Sequence, residues 1–397
     1  MTDVLILGAG YAGIRAAKTL SKFAPQNTTI TLVDKNTIHA EKTQLHEVAA
    51  GTMPADKITF DIRSILPKSV NFVQAEVKKV NVDAKTVDFV DHDTMAYDYV
   101  VVALGFRSES FGLPGADENA LPLEDIPSAE KIFETIEAHV ANYAKSQDRK
   151  DLSIIVAGAG FTGIELLGEL THTVPKLQAK YNTPDIQVTS MEMATRILPM
   201  FDESLANYAM EYLQDHGINM MTGTKITKIE PNAVVYGDGE SEKRVYGNTI
   251  IWTVGVSGSD VIAESGFEQR RNRVVVTDKL NLKEHPEVFI VGDVSAAMDP
   301  SSNRPYPTTA QISTREGNLA AKNIASAIQG GALEPFTYES IGTVASLGGA
   351  DGIAQVGAKQ RKYKGFMAKV LKRAVVDKSL FEDANLSTMF KKGRWPL

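Results

Sequence analysis

Two short runs of uninterrupted apolar residues, each ending in glycine, organise this chain. Val4-Leu5-Ile6-Leu7 runs into Gly8-Ala9-Gly10-Tyr11-Ala12-Gly13, and Ile154-Ile155-Val156 runs into Gly158-Ala159-Gly160-Phe161-Thr162-Gly163, 150 positions later. Apolar runs without alternation belong to strands buried on both faces. The stretch after each glycine group has the period of a helix, so each copy predicts strand, tight turn and helix start. In such a turn the first glycine makes the bend, the second lets the backbone approach a pyrophosphate, and the third lets the helix pack on the strand. The phosphates then meet free N–H groups at the helix N-terminus. Two copies imply two dinucleotides, most simply one tightly held flavin and one exchanging nicotinamide.

The remaining pattern places these units. Residues 29–34 and 99–105 read as further strands of the first unit, and residues 153–157, 186–192 and 249–254 as strands of the second. Residues 109–127 carry Pro114, Gly115, Pro122 and Pro127, a crossover rich in breakers. Residues 288–293 form another buried run ending at Gly292, and a helix pattern runs from after Pro307 to about Gln329. The prediction is an α/β chain with two Rossmann-like domains, the second inserted in the first. A flavin domain takes residues 1–113 and 256–330, a nicotinamide domain takes 114–255, and 331–397 form a C-terminal amphipathic helical segment.

Composition narrows the class. At 397 residues the chain is long for a single core. Apolar content of 43% and charged content of 23% are those of a soluble globular protein. No stretch approaches the ~20 apolar residues of a membrane span, and strand residues begin too early for a signal peptide, so a cytoplasmic location is expected. The chain has no cysteine, so electrons leaving a flavin cannot pass through a disulfide. That excludes a disulfide reductase and a cysteine-dependent sulfide or peroxide reductase. The net charge of −7 is uneven: residues 359–397 carry 11 Lys or Arg against 3 Asp or Glu, a net of +8, which leaves −15 for the rest. The basic end suggests an anionic partner: a membrane surface, nucleic acid, or only solvent. It lacks a nucleic-acid fold signature. The seven histidines have no metal-ligand spacing, and His46-Glu47 lacks the second histidine of HExxH.

Specific side chains refine the two sites. Asp34 and Glu192 each end a later strand and suit the ribose hydroxyls of the two adenosines. A carboxylate repels a 2′-phosphate, so Glu192 favours NADH over NADPH, whereas Arg196 nearby suits a phosphate. Asp293, after Gly292, either accepts from a buried diol or caps a helix. Glu165, soon after Gly163, sits near the reacting rings or is a first-turn glutamate favoured by the helix dipole. Glu169, one turn on, reads as structural.

The chain resembles the two-dinucleotide-domain flavoproteins, and within them it is similar to the type II NADH dehydrogenases, the non-pumping NADH:quinone oxidoreductases. The residues that carry this are the two glycine groups, Thr43-Gln44-Leu45-His46-Glu47-Val48-Ala49-Ala50-Gly51, Ala103-Leu104-Gly105, and Glu192 with Arg196-Ile197-Leu198-Pro199. Thr253-Val254-Gly255, Val291-Gly292-Asp293 and Thr309-Ala310-Gln311 complete the set. The resemblance covers nearly the whole chain.

It implies one non-covalent FAD held by Gly8, Gly10, Tyr11, Ala12, Gly13, Asp34, Lys35, Thr43, Ala103, Gly105, Asp293 (on the ribityl chain) and Ala310. It implies NADH held by Gly158, Gly160, Phe161, Thr162, Gly163, Glu165, Glu192, Val254 and Gly255. Glu165 and Gln311 are the implied catalytic residues, and Gln311, Arg315 and Lys372 the implied quinone contacts. Arg315 stands where the family has its second glutamine, which bears on head-group preference. Phe366, Met367, Val370, Leu371, Ala374 and Val375 form a helical apolar stripe with Lys369, Lys372 and Arg373 between them, a form suited to an anionic leaflet. The expected enzyme takes hydride from NADH and passes two electrons to a membrane quinone, of menaquinone type, at the cytoplasmic face of the cell membrane. It binds no nucleic acid, and it pairs as a homodimer if it follows the habit of its fold. The alternatives are a reductase of a ferredoxin-like carrier protein and a nucleotide-binding redox sensor without turnover.

Overall fold

The computed structural model describes residues 1–237, 241–384 and 386–393. The first apolar run is the centre of a five-stranded parallel sheet, in the order Val288–Ile290, Tyr99–Val102, Thr2–Leu7, Thr28–Asp34, Val70–Gln74. Val4, Leu5, Ile6 and Leu7 are all buried, so the run needs no polar alternation. The second sheet repeats the plan around the second run: Leu121–Pro122, Thr249–Trp252, Ser153–Ala157, Gln187–Met191, Ile218–Met221, again all parallel. Each sheet carries an antiparallel three-stranded meander, from Val77–Asn81, Thr86–Phe89 and Met95–Ala96 in one and Ile226–Glu230, Ala233–Tyr236 and Lys243–Tyr246 in the other. After each meander the chain returns on the opposite side of the central strand. The strand order therefore reverses beside each glycine turn, which opens a crevice at the carboxyl ends of the strands. Strand Val288–Ile290 joins the first sheet only after the second is complete, so the second α/β unit is inserted in the first.

Helices α1 (Tyr11–Phe23), α2 (Leu45–Ala49), α3 (Ile126–Ser146), α4 (Phe161–Tyr181) and α5 (Ala310–Ile328) frame the crevices. An Asp125–Ser128 capping box with a proline in the first turn starts α3. Thr309 caps α5 by accepting from the Ile312 N–H at 3.3 Å. Gly317 on α5 lies so close to Ala12 that a Cβ there would stand 2.1 Å from the Ala12 carbonyl oxygen, which seats α5 over the start of α1.

The C-terminal segment departs from the expected all-helical form. Gly342–Ser346, Gly352–Val356 and Arg361–Lys364 form an antiparallel sheet before α6 (Gly365–Asp383) and α7 (Leu386–Lys392). Its buried face is built from small residues and two larger ones, Ala345, Leu347, Ile353 and Ala354, too weak a period-two signal to read against its glycines. Helix α6 straps back over the first unit. Arg15 pairs with Glu382 at 3.3 Å, the Ser379 hydroxyl donates to Glu41 at 3.3 Å, and Lys18 donates to the Ala384 carbonyl. The basic residues are correspondingly engaged with the body rather than spread as a rim: Lys362 with Asp202, Lys369 with Ser346, Lys372 with Glu165, and Lys392 with the carbonyls of Asp56 and Thr59. Among the described residues no helix is long and apolar enough to cross a membrane. Arg394 and Trp395, at the end of the chain, lie outside the described residues.

Candidate functional site

The two glycine turns have the same construction. Gly8 and Gly158 adopt φ of +99° and +98°, where a side chain is strained. A Cβ on Gly13 would stand 1.8 Å from the Gly8 carbonyl oxygen, and one on Gly163 2.1 Å from that of Gly158. Gly10 and Gly160 instead face space with nothing within 4 Å. The outer glycines thus bring helix onto strand, and the middle one leaves the clearance a pyrophosphate needs. A carboxylate braces each turn. Asp34 accepts from the N–H groups of Ala9 at 2.6 Å and Asn36 at 2.8 Å; Glu192 accepts from Ala159 and Ala194, both at 2.8 Å. A carboxylate has about four lone-pair sites, so both keep acceptors for ribose hydroxyls. Burial pushes Asp34 up, and the Ala9 and Asn36 N–H groups oppose it. Arg196 points away from a phosphate role, donating to the Phe201 carbonyl. Lys35 is exposed and pairs with Glu76 at 3.7 Å. Phe161 leans on Phe201 with ring centroids 5.5 Å apart, Thr162 is exposed, and Val254 and Gly255 flank Gly158 and Phe111 respectively.

Asp293 lies in the short 3-10 turn Gly292–Val294 and does not cap it, since the Ser295 N–H bonds to the Gly292 carbonyl. Its carboxylate accepts no hydrogen bond from the described residues, and burial pushes its pKa up against the pull of Lys42 and Arg273. A buried carboxylate left in this state fits a polyol partner. Lys42 and Glu316 were not legible as site residues. The Lys42 ammonium lies 4.5 Å from the centre of the Phe106 ring; burial lowers its pKa, and Asp293, Asp125, Glu124 and Asp34 oppose that. Glu316, fully buried on α5, accepts from the Gly292 N–H at 2.6 Å. Burial pushes its pKa up to about 8, with Asp293 adding and the Gly292 N–H and Arg273 opposing. Tyr11 donates to Glu41 at 3.0 Å and lies 3.5 Å from the exposed Thr43 hydroxyl. Ala103 is buried against the Gly8 turn, and Gly105 has open space at its Cβ.

Glu165 is the most constrained carboxylate. It is the fifth residue of α4 rather than a member of the first turn, so the helix dipole does little for it. It is buried, and Oε1 accepts from the Lys372 ammonium at 2.7 Å and the Ser346 N–H at 2.9 Å. Oε2 faces His46 Nδ1 at 3.5 Å. Burial pushes Glu165 up, but Lys372, His46 and the Ser346 N–H together hold it below the usual range. Helix α6 supplies Lys372, the new sheet supplies Ser346 and α2 supplies His46, so residues from four elements meet at one carboxylate. Nothing local in the sequence signals that. Glu169 is also polar and buried, and Oε2 accepts from the Thr52 hydroxyl at 2.7 Å.

Gln311, in the first turn of α5, accepts at Oε1 from the Tyr338 hydroxyl at 2.8 Å rather than from backbone. That bond turns the amide N–H₂ outward as a donor. Ala310 begins the same helix, and Arg315 is exposed one turn on. No contact joins Gln311 to the Glu165 group among the described residues.

The pyridine nucleotide-disulphide oxidoreductase family matches residues 2–317. The type II NADH:quinone oxidoreductase of Staphylococcus haemolyticus is 40% identical over 398 residues, covering 99% of this chain and 98% of that one. That of Staphylococcus aureus strain NCTC 8325 is 40% identical over 399 residues with the same coverage, 99% and 98%. Among solved structures, NDH2 from Plasmodium falciparum in complex with NADH superposes with a TM-score of 0.85 at 17% identity, covering 98% of this chain and 97% of that one. The sulfide:quinone oxidoreductase of Aquifex aeolicus gives a TM-score of 0.78 at 20% identity, covering 97% and 92%. At those identities the structural likeness speaks for the fold.

Proposed function

The chain belongs to the type II NADH:quinone oxidoreductases, a branch of the pyridine nucleotide-disulphide oxidoreductase family, and we propose how its own residues perform that reaction. It is an FAD-dependent enzyme that oxidises NADH with a quinone. The turn at Gly8, Gly10 and Gly13, with Asp34, Ala103, Gly105, Thr43, Ala310 and Asp293, holds FAD. The turn at Gly158, Gly160 and Gly163, with Glu192, Val254 and Gly255, holds NADH. When bound, FAD takes hydride from NADH and passes two electrons to quinone.

The protein's part is positioning and proton control. Glu192 accepts the adenosine ribose hydroxyls of NADH while braced on Ala159 and Ala194, and its charge disfavours a 2′-phosphate. Gln311 donates its outward amide N–H to a quinone carbonyl, with Tyr338 holding the amide in that sense. Quinone gains two electrons and two protons on becoming quinol, and NADH brings only one proton with its hydride. Glu165 supplies a path for the other, and the Lys372 ammonium stabilises negative charge on the quinone oxygen.

The observation that carries this is the buried Glu165–Lys372 pair at 2.7 Å, formed by the helix of the second glycine turn and the C-terminal strap. The apolar stripe on α6 leaves Phe366, Met367, Val375 and Phe381 exposed, and this face meets a membrane whose quinone enters beside Lys372. Its basic residues are largely engaged with the body, so apolar burial outweighs charge in that attachment. A menaquinone-type substrate, the cytoplasmic face and a homodimer complete the proposal. Replacing Glu165 by Gln should cut turnover with menadione at least about tenfold, the scale of a lost proton-transfer group. Turnover with ferricyanide, which takes electrons and no proton, reports electron supply in the same protein. Equal loss with both acceptors would contradict a proton role.

A further inference from the structure

Glu165 stands at one end of a longer buried chain of polar groups. Its Oε2 faces His46 Nδ1 at 3.5 Å. The other ring nitrogen, Nε2, is 3.8 Å from Glu47 Oε1, too far for a hydrogen bond, and it has no hydrogen-bond partner among the described residues. Donor and acceptor atoms of His46, Glu47 and Glu169 lie within 4.8 Å of one another. Glu169 Oε2 then accepts from the Thr52 hydroxyl at 2.7 Å. Thr52 is half-buried in the turn after α2, between exposed Gly51 and half-buried Met53, with exposed Pro54 next. His46, Glu47, Glu165 and Glu169 are no more than 5% exposed. Glu165 and Glu169 are four residues apart on α4 and share a face; His46 and Glu47 are presented to it by α2.

Burying an imidazole and three carboxylates costs far more than an apolar core of the same volume. The reaction gives such a cluster a use. The balance is NADH + H⁺ + quinone → NAD⁺ + quinol, so one proton per turnover must come from solvent into a site that excludes water. Lys372 and Ser346 occupy one oxygen of Glu165, and His46 alone among the described residues faces the other.

We propose that Thr52, Glu169 and His46 are the entry route for that proton. Glu169 takes the proton at the Thr52 turn and passes it to His46 Nε2, across a gap that one hydrogen-bonded water spans. The imidazole gives up its Nδ1 proton to Glu165 Oε2. The Glu165 O–H bond then breaks as the quinol O–H bond forms, the electrons having come from NADH. A half-turn of the ring restores the starting tautomer. His46 and Glu169 act through Glu165, so they are positioning residues, and the inference rests on the proton role proposed for Glu165.

The test uses the flavin-loaded full chain and three variants, His46→Gln, Glu169→Gln and Glu165→Gln. Each is assayed with NADH against menadione and against ferricyanide, in H₂O and in D₂O. The route predicts that His46→Gln and Glu169→Gln lower the menadione-to-ferricyanide turnover ratio at least about tenfold and raise the solvent isotope effect with menadione alone. If only Glu165→Gln lowers the ratio, the route is wrong and the Glu165 reading stands. If Glu165→Gln leaves the ratio unchanged, that reading fails as well. Parallel loss with both acceptors in the two relay variants marks a structural role and overturns the route. Should His46→Gln lose its flavin, Glu169→Gln decides, because glutamine still accepts from Thr52 but cannot carry the proton.

Discussion

Asp34 and Glu192 occupy equivalent places in the two units, each taking two backbone N–H groups and bracing a glycine turn. Both were legible because strand, glycine group and acidic strand end succeed one another closely in sequence. Partners separated by long stretches of chain were not legible: His46 with Glu165, Gln311 with Tyr338, and Gly292 with Glu316. Glu316 yields a test at this scale. Its pKa of about 8 in the folded protein exceeds the ordinary 4.5, so its contribution to stability is fully present below about pH 4.5 and is lost as pH rises towards 8. Glu316→Gln removes that loss. In the flavin-free protein the variant should therefore gain stability relative to the parent between pH 5 and pH 8, read as the shift in denaturant midpoint. An identical difference at both pH values would contradict it.

The glycine turns are the elements that the sequence specified most fully, because sterics dictate them residue by residue. The third glycine is the sharpest probe of which unit holds which nucleotide. A methyl group at Gly163 would stand 2.1 Å from the Gly158 carbonyl oxygen, forcing α4 off its strand. Gly163→Ala should purify with flavin bound yet no longer be bleached by NADH at concentrations that bleach the parent. Loss of flavin with retained NADH binding would exchange the two assignments. The C-terminal strap was legible only in part. Its helix showed as an apolar stripe, but the sheet before it rests on small residues, and the inward course of its lysines depends on acidic partners far away in the chain. The exposed Phe366 and Phe381 are each more than half accessible, at 58% and 52%. Replacing both by Glu should release the protein from anionic phospholipid vesicles in a flotation assay with flavin content unchanged; undiminished binding would remove the membrane role of this face.

The whole molecule is one plan used twice and closed by a strap. Duplication places two nucleotide crevices on one chain, and the strap carries Lys372 from the last long helix to a carboxylate on the helix of the second crevice. With no cysteine in the chain, the route for electrons out of the flavin is a diffusible acceptor rather than a protein disulfide. The most direct measurement is steady-state oxidation of NADH by the purified flavin-loaded protein with menadione as acceptor, alongside NADPH. A rapid menadione-dependent rate with NADH, and a much slower one with NADPH, is the result this account predicts. A flavin that NADH bleaches but menadione cannot reoxidise would contradict it.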